Sequence, residues 1–555
     1  MSIRCLIRAG EYHDSVTLMQ IAQELLRLPG VRDAAVVMAT SANKSVLAQA
    51  GLSLPEIAAA TANDLVIVVL AEGEGAATEA LETARQRLVQ PAQAVASGQA
   101  LRPRSLRTAV RLLPQSNLAV ISVAGAYAAA EAWEALKSEL HVLLFSDNVS
   151  LEDEISLKEY AAQRGLLMMG PGCGTAILNG VALGFANVVP RGPVGIIAAA
   201  GTGLQEVSTL LAKLGVGVSQ GIGTGGRDVH ERVGGIMMLQ GLRALQDDPS
   251  TQVLLLVSKP PSASVAERVL AQVGLSAKPT VVCFLGSDAQ LIAGAGALPA
   301  RTLQDAAYLA AESLHLCAGA KSLHLCAGAK SLHLCAGAKS LHLCAGAAQV
   351  RGYQRPSADE SVGQETARLR AQAELLKGKL RPQQKYLRGL FSGGTLAAEA
   401  LLVWKDTLGE VFSNVASDPK WRMEDTSKCQ GNCALDLGEE EFTVGRAHPM
   451  IDNDLRIRRL LQEASDPEVG VLVLDVVLGY GAHPDPAGEL GPAVRRARQL
   501  AAQEGRELLV VASVTGTKED PQGLDRQVQS LEQSGSIVCH CNAAAARLAA
   551  FIIAA

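Results

Sequence analysis

Apolar positions along this chain recur in two rhythms, and the balance between them shifts near residue 118. Over the first hundred residues, apolar runs at 3–7, 31–38 and 65–70 alternate with segments whose apolar residues return every three or four positions, at 15–28, from 43 and from 76. Short apolar runs bounded by polar residues read as strands, and the three-to-four spacing reads as amphipathic helix. Asp14 and Ser15 precede the first helical segment, where a short oxygen-bearing side chain accepts an amide hydrogen of the opening turn. The pattern predicts a small α/β domain of ferredoxin-like type over residues 1–104, with an Ala-, Gln- and Pro-rich linker at 90–104.

From 118 to 312 the strand candidates become uninterrupted apolar runs, at 118–123, 142–145, 166–169, 194–198, 253–257 and 280–285, with helical segments between them. A strand apolar on every residue is buried on both faces, as in parallel sheets covered by helices. Two such sheets are expected, a Rossmann domain over 105–190 and a second over 191–312, divided at Pro190-Arg191-Gly192. Ser150 and Asp153 are spaced to cap one of the helices. Residues 386–555 repeat the doubly wound pattern, with strands at 389–391, 469–474, 508–512 and 536–539. The predicted fold class is α/β, with several doubly wound parallel-sheet domains of Rossmann or flavodoxin type plus the small N-terminal α/β domain.

Between these domains, residues 313–385 hold a nine-residue unit, SLHLCAGAK, repeated identically from 313, 322 and 331 with a fourth copy from 340, and then a charged helical stretch. Each copy carries a His-x-Cys pair, which invites a metal reading. In a straight helix, alternate copies sit roughly 27 Å apart and the His and Cys of one copy point about 200° apart, so four ligands do not converge. No metal is assigned. Cys429-x-x-x-Cys433 and Cys539-His540-Cys541 lack a second half at zinc spacing.

Composition narrows the class. The 555 residues are 48% hydrophobic and 19% charged, with net charge −5 and 3% aromatics. No basic stripe or stacking surface suits nucleic acid. The apolar runs are too short to cross a bilayer, and the first residues lack the pattern of a signal peptide. Eleven cysteines without secreted-scaffold spacing suit a reducing compartment, so a cytoplasmic protein is expected.

The candidate chemistry sits in glycine-rich turns at strand-to-helix junctions. Gly201, Thr202 and Gly203 follow the run 194–198, and Gly393, Gly394 and Thr395 follow the run 389–391. Glycine allows close approach of an anion there, while free amide hydrogens and the positive end of the helix dipole favour negative charge. These six residues are assigned to phosphate. A third turn brings Gly223, Gly225, Gly226 and Arg227 forward as substrate contacts, the arginine able to clamp a carboxylate. Cys173, in Gly170-Pro171-Gly172-Cys173-Gly174, joins them, with a plain tight turn as the equal alternative. Arg446, His448 and Asp452 cluster a cation, an imidazole and a carboxylate in one loop and are the catalytic candidates; a surface loop with ordinary ion pairs is the alternative. Thr40, Asn43 and Lys44 are either a helix cap or an anion site.

These motifs resemble the succinyl-CoA synthetase superfamily. Residues 118–303 resemble its α subunit through the Gly170–Cys173 turn, the strand at 194–197 with its glycine-rich helix start, and the loop Gly221–Gly226. Residues 386–555 resemble the C-terminal half of its β subunit. The fused order, with Asp14-Ser15-Val16, the loop Phe145-Ser146-Asp147-Asn148-Val149 and the segment from Gly445 to Asp452, is similar to the FdrA family of acyl-CoA synthetase-like proteins. Two features depart from the synthetase. The segment 291–297, where the α subunit carries its phosphorylated histidine, has none, and no free stretch is long enough for an ATP-grasp domain.

The resemblance implies an enzyme subunit that transfers an acyl or carbamoyl group through an acyl phosphate. Of the reactions linked to FdrA-type proteins, oxamate carbamoyltransferase chemistry (oxalurate plus phosphate to oxamate plus carbamoyl phosphate) needs neither ATP nor phosphohistidine. The alternative is an acyl-CoA synthetase with a separate ATP-grasp partner; a third reading is a ligand-sensing scaffold without catalysis. Phosphate or an acyl phosphate is the expected substrate, CoA is left open as a cofactor, and the partners are a small molecule and further enzyme subunits.

Overall fold

The computed structural model of the chain describes residues 2–11, 15–40, 43–44, 47–48, 51–61, 63–89, 103, 105–326, 358–416, 418–443 and 447–554. It divides into two compact units. One comprises Met1–Leu112 with Gly438–Asp452, the other Leu113–Leu437 with Asn453–Ala555.

In the first unit, β1 (Ser2–Arg8), β2 (Val31–Met38) and β3 (Leu65–Ala71) form an antiparallel sheet in the order β1-β3-β2. Side chains alternate across a strand, and β3 is apolar throughout because both its faces are covered. Leu65, Ile67 and Val69 pack with Leu18, Ile21 and Leu25 of the helix Ser15–Leu26 and with Ala77, Ala80 and Ala84 of the helix Glu74–Val89. Val66 and Val68 pack with Leu47, Leu52 and Ile57. The ferredoxin-like expectation is met to the extent of three strands among the described residues. Asp14, the predicted cap, lies outside them, as do residues 90–102 of the expected linker.

The second unit holds three sheets. β4 (Leu118–Ile121), β5 (His141–Leu144) and β6 (Met168–Met169) are parallel, in that order. The capping prediction at Ser150 is met: its hydroxyl accepts from the Asp153 amide at 3.0 Å, at the start of the helix Leu151–Gln163. The next sheet contains β7 (Thr175–Leu178), β8 (Val181–Gly184), β9 (Arg191–Ala199), β10 (Val218–Gly223), β11 (Val253–Ser258), β12 (Thr280–Phe284) and β13 (Leu298–Pro299), ordered β13-β12-β11-β9-β10-β7-β8. The third contains β14 (Tyr386–Phe391), β15 (Phe412–Ser413), β16 (Cys433–Asp436), β17 (Val469–Val477), β18 (Leu509–Thr515) and β19 (Ser536–Cys539), ordered β15-β16-β14-β17-β18-β19 and parallel throughout.

Both larger sheets share one winding. β10-β9-β11-β12-β13 and β16-β14-β17-β18-β19 each run second-first-third-fourth-fifth, the flavodoxin order, whose ligand crevice opens between the first and third strands at their C-terminal ends. In one sheet that point lies between β9 and β11, in the other between β14 and β17. The glycine turns at 201 and 393 follow β9 and β14.

Two boundaries differ from the sequence expectation. β7 and β8 precede residue 190 yet belong to the seven-stranded sheet, where β7 pairs antiparallel with β10. They form a hairpin whose two-residue turn, Asn179-Gly180, has both φ values positive (51° and 81°), the geometry that Asn-Gly adopts readily. Gly438–Asp452 separates from the sheet on either side of it and joins the N-terminal unit. The helix Leu303–Cys326 runs through the first copy of the nine-residue repeat and into the second; residues 327–357 lie outside the described ones.

Candidate active site

β9 leads into the helix Gly201–Lys213 and β14 into the helix Gly394–Leu408, and the two helix starts pack against each other. A Cβ at Gly393 would stand 2.5 Å from Thr202 Cγ2 and 2.6 Å from its Oγ1. A Cβ at Gly203 would stand 2.9 Å from Thr395 Cγ2 and 3.0 Å from Val257 Cγ1. Glycine is required at 393 and 203 for approach, since φ at Gly393 is an ordinary −128°. Thr202 and Thr395 are buried at 7% and 3% exposure, while Gly201 is open to solvent and Gly394 half-buried.

Three further groups shape this junction. Lys259, the residue after β11, places Nζ 2.8 Å from the position of a Cβ at Gly394, and the carboxylate of Asp436 at the end of β16 touches the same point. Ser258 ends β11 opposite Ala199, and its buried hydroxyl has no hydrogen-bond partner among the described residues. Ser392 is fixed from beneath: its amide donates to Asp475 Oδ1 at 2.8 Å and its hydroxyl to Oδ2 at 2.9 Å. Arg456 holds that buried carboxylate, with Nη2 2.9 Å from Oδ1.

One turn into each helix stands a buried carboxylate, Glu206 and Glu399. Asn542 joins them. Its backbone amide donates to Glu206 Oε1 at 2.9 Å and its side-chain amide to Glu399 Oε2 at 2.7 Å. Thr515 Oγ1 completes Glu206 (2.5 Å) and the Leu303 amide completes Glu399 (2.6 Å). Burial, and then the charge of Glu206, push the Glu399 carboxyl up to about 7, against the hydrogen bond from Asn542.

The remaining sequence candidates fall in different places. Gly223 and Gly225 pack on the Gly170–Cys173 turn, whose Gly170–Pro171 bond is cis, while Gly226 is exposed with open space beside it: a Cβ at Gly225 would meet the Pro171 carbonyl at 2.5 Å, and one at Gly223 would meet Cys173 Sγ at 2.5 Å. Arg227 is engaged with Glu154, Nε to Oε2 at 2.8 Å, and with the Val149 carbonyl. It borders a buried ion cluster in which Lys158 Nζ lies 2.7 Å from Glu154 and 2.9 Å from Asp228. Burial drives the Cys173 thiol up to about 12, which leaves it no thiolate at neutral pH. Gly223, Gly225 and Cys173 thus pack between two loops, and Arg227 is ion-paired. His448 and Asp452 share one turn, the Asp452 amide donating to the His448 carbonyl at 3.1 Å, in the unit that includes the N-terminal residues. Arg446 lies outside the described residues. Lys44 donates to the carbonyls of Ala58 and Ala60, as a helix-anchoring side chain does. The segment 291–297 packs beside the helix Ala263–Val273, where Ala295 approaches Gly274.

Lys259, Ser258, Asp436, Glu206, Glu399 and Asn542 were not legible as site residues. Glu206 and Glu399 lie in the two helices themselves, while the others come from strand ends or a helix distant in sequence; Lys259, a cation directly after an apolar run, is the one local signal.

Comparison with known proteins places this geometry in a class. Residues 390–552 match the CoA-ligase family, and residues 1–103 match a family described as AllF, heavy metal-associated domain. Succinate–CoA ligase [ADP-forming] subunit alpha of Methanothermobacter thermautotrophicus is 26% identical over 176 residues, 31% of this chain and 58% of that one. Malate–CoA ligase subunit alpha of Methylorubrum extorquens is 27% identical over 145 residues, 25% and 48% of the two chains. The chain thus spans about half the length of these ligase subunits. Among solved structures, the dinucleotide-forming acetyl-coenzyme A synthetase 1 of Ca. Korarchaeum cryptofilum, in complex with phosphate and ADP, is 16% identical, covers 79% of this chain and 82% of its own, and has a TM-score of 0.26. These matches are to CoA ligases of the succinyl-CoA synthetase type, and the fold beneath them is α/β with several parallel sheets. Protein YahF of Escherichia coli (strain K12) is 41% identical over 538 residues, 97% of this chain and 96% of that one, and the chain belongs to its family. No group of three His, Cys, Asp or Glu side chains positioned for a metal occurs among the described residues, including those of the N-terminal unit. No helix among them is long and apolar enough to cross a membrane.

Two predictions follow from this geometry. Gly393→Ala forces a methyl group into Thr202 and should cost about 1–3 kcal/mol, as overpacked cores do. Combining it with Thr202→Gly should recover much of that loss in denaturant unfolding; additive losses would mean that the two helix starts do not touch. Glu399 titrates in the folded state near 7, above its ordinary 4.5. Its contribution to stability is therefore complete below pH 4.5 and is lost as pH rises towards 7. Relative to wild type, Glu399→Gln should gain stability between pH 5 and pH 8 by about 3 kcal/mol at most, and a gap independent of pH would refute the assignment.

Proposed function

We propose that the chain is an acyl-transferring enzyme subunit of acyl-CoA ligase type, which binds phosphate or an acyl phosphate where its two glycine-started helices meet. The observation that carries the reading is the pairing of those helix starts with Lys259 beside Gly394. The free amides of a helix start favour an anion. Two positive helix ends repel each other until one sits between them, and an ammonium group adds a charge-assisted hydrogen bond. The orphaned Ser258 hydroxyl suits the same ligand. In this reading phosphate attacks the acyl carbon of a thioester, releasing CoA and forming the acyl phosphate, and the amides stabilise the charge that develops on phosphate oxygens.

The ligase relatives support acyl-CoA chemistry, and nothing among them supports carbamoyl transfer, which the FdrA resemblance put first. The one observation that keeps carbamoyl transfer as a second reading is the segment 291–297, which carries no histidine. For CoA, the start of the helix Gly125–Lys137 offers amides and Val123 and Tyr127 offer exposed apolar surface beside it, although the backbone of Asp147 and Asn148 crowds Gly125. The ATP-driven step of a full ligase falls to a partner subunit carrying the nucleotide domain, and the protein works inside the cell. His448 and Asp452 are retained as proton-transfer candidates, with Arg446 beside them in sequence.

A phosphorolysis panel tests the reading. Labelled phosphate is incubated with the full chain and acetyl-CoA, succinyl-CoA or oxalurate, and acid-labile labelled product is measured. A labelled acyl phosphate from a thioester is the expected result; label from oxalurate alone would select carbamoyl transfer. Lys259→Met should weaken phosphate binding by about 10- to 100-fold, the size of a charge-assisted hydrogen bond. Absence of both product and phosphate binding would contradict the proposal.

A further inference from the structure

Cys429 and Cys433 lie in the turn leading into β16, away from the glycine turns. Cys433 opens the strand and is buried, whereas Cys429 is partly exposed. Their Sγ atoms are 2.8 Å apart, and Met423 Sδ lies 3.5 Å from Cys433. Arg459 Nη2 stands 3.2 Å from Cys429 Sγ. The guanidinium is fixed by Glu463 (2.6 Å from Nε) and by the Thr426 carbonyl (2.7 Å from Nη1). Gly431, at φ +55°, allows the three-residue spacer to turn back and bring the sulfurs together. Burial and the adjacent Cys429 hold the Cys433 thiol well above its usual range.

The separation decides between two uses of such a cluster. Sulfur ligands around a shared cation, with bonds of about 2.3 Å in tetrahedral geometry, stand about 3.8 Å apart. A gap of 2.8 Å is too short for that, and closing it to a covalent bond of about 2.05 Å needs less than an ångström of movement. The environment is also asymmetric. One sulfur is reachable and stands 3.2 Å from a fixed guanidinium, and the other is buried behind it.

We propose that Cys429 and Cys433 form a redox-active dithiol that low-molecular-weight disulfides, of which oxidised glutathione is the type, convert to an intrachain disulfide. Cys429 loses its proton and attacks one sulfur of the oxidant, and the first small thiolate leaves and takes up a proton. Cys433 then loses its proton and attacks Cys429 Sγ, expelling the second small thiol. Two protein thiols give up two electrons and two protons, and one small disulfide becomes two thiols. The site is separate from the proposed acyl chemistry and does not depend on it.

The sequence makes the product simple to read. Lys428 precedes Cys429 and the next basic residue is Arg446, so one tryptic peptide, 429–446, contains both thiols and no other cysteine. The full chain is exposed to oxidised glutathione, its free thiols are alkylated, and it is digested. Peptide 429–446 should appear unalkylated and two hydrogen atoms lighter than its reduced form. Cys433→Ser should trap a glutathionyl group on Cys429. Alkylation of both cysteines after oxidation, or a mixed disulfide on Cys429 that persists in the wild-type chain, would overturn the proposal.

Discussion

The structure depends on two helices that begin against each other. Each helix start carries about half a positive charge. Two such ends about 5 Å apart, at an effective dielectric constant of about 20, repel by roughly 1 kcal/mol. Nothing about the helices themselves favours this placement; the sheets impose it. β9 and β14 are the first strands of two sheets with the same winding, so each delivers its helix start to the crevice at its own switch point. The glycines at 203 and 393 then remove the side chains that would keep the two crevices apart.

The negative charge that answers this junction is built in behind it. Asp436 meets the Gly394 turn, and Glu206 and Glu399 stand one turn along the two helices, where Asn542 ties one carboxylate to the other. Burying two carboxylates near each other is costly unless every oxygen is hydrogen-bonded, and all four oxygens here have a donor. The result links the α-like and β-like parts of the chain through polar contacts that fix their register. Asn187 adds to the link, its side-chain amide donating to the Leu478 carbonyl at 2.9 Å and to Asp520 at 2.8 Å. A shared site needs this stiffness, because a crevice assembled from two sheets is only as well defined as the contact between them.

Much of the architecture was legible because parallel strands buried on both faces leave unbroken apolar runs: β9, β11, β12, β17 and β18 all stood out. β7, β8 and β16 were not read as strands, although they are no shorter than β4, β5 and β19, and β16 carries both Cys433 and Asp436. The glycine turns were legible because a helix start after a strand has a local signature. What they touch was not. Gly223 and Gly225 share that signature but spend it on packing against the Gly170–Cys173 turn, and Arg227, which looked free to clamp a substrate, is held by Glu154. Glu399 and Asn542 meet only through the tertiary fold, which also brings Lys259 to the Gly394 turn. Local pattern gave the helix starts, and long-range packing decided which of them meet each other.

The most direct measurement of the central claim is a crystal structure of the full chain grown with tungstate or vanadate, heavy mimics of phosphate. The account predicts one strong anion peak within hydrogen-bonding distance of amides from both turns, Gly201–Gly203 and Gly393–Thr395, and of Lys259 Nζ. Anion density confined to other surfaces, with the two helix starts in contact and nothing bound beside them, would contradict it.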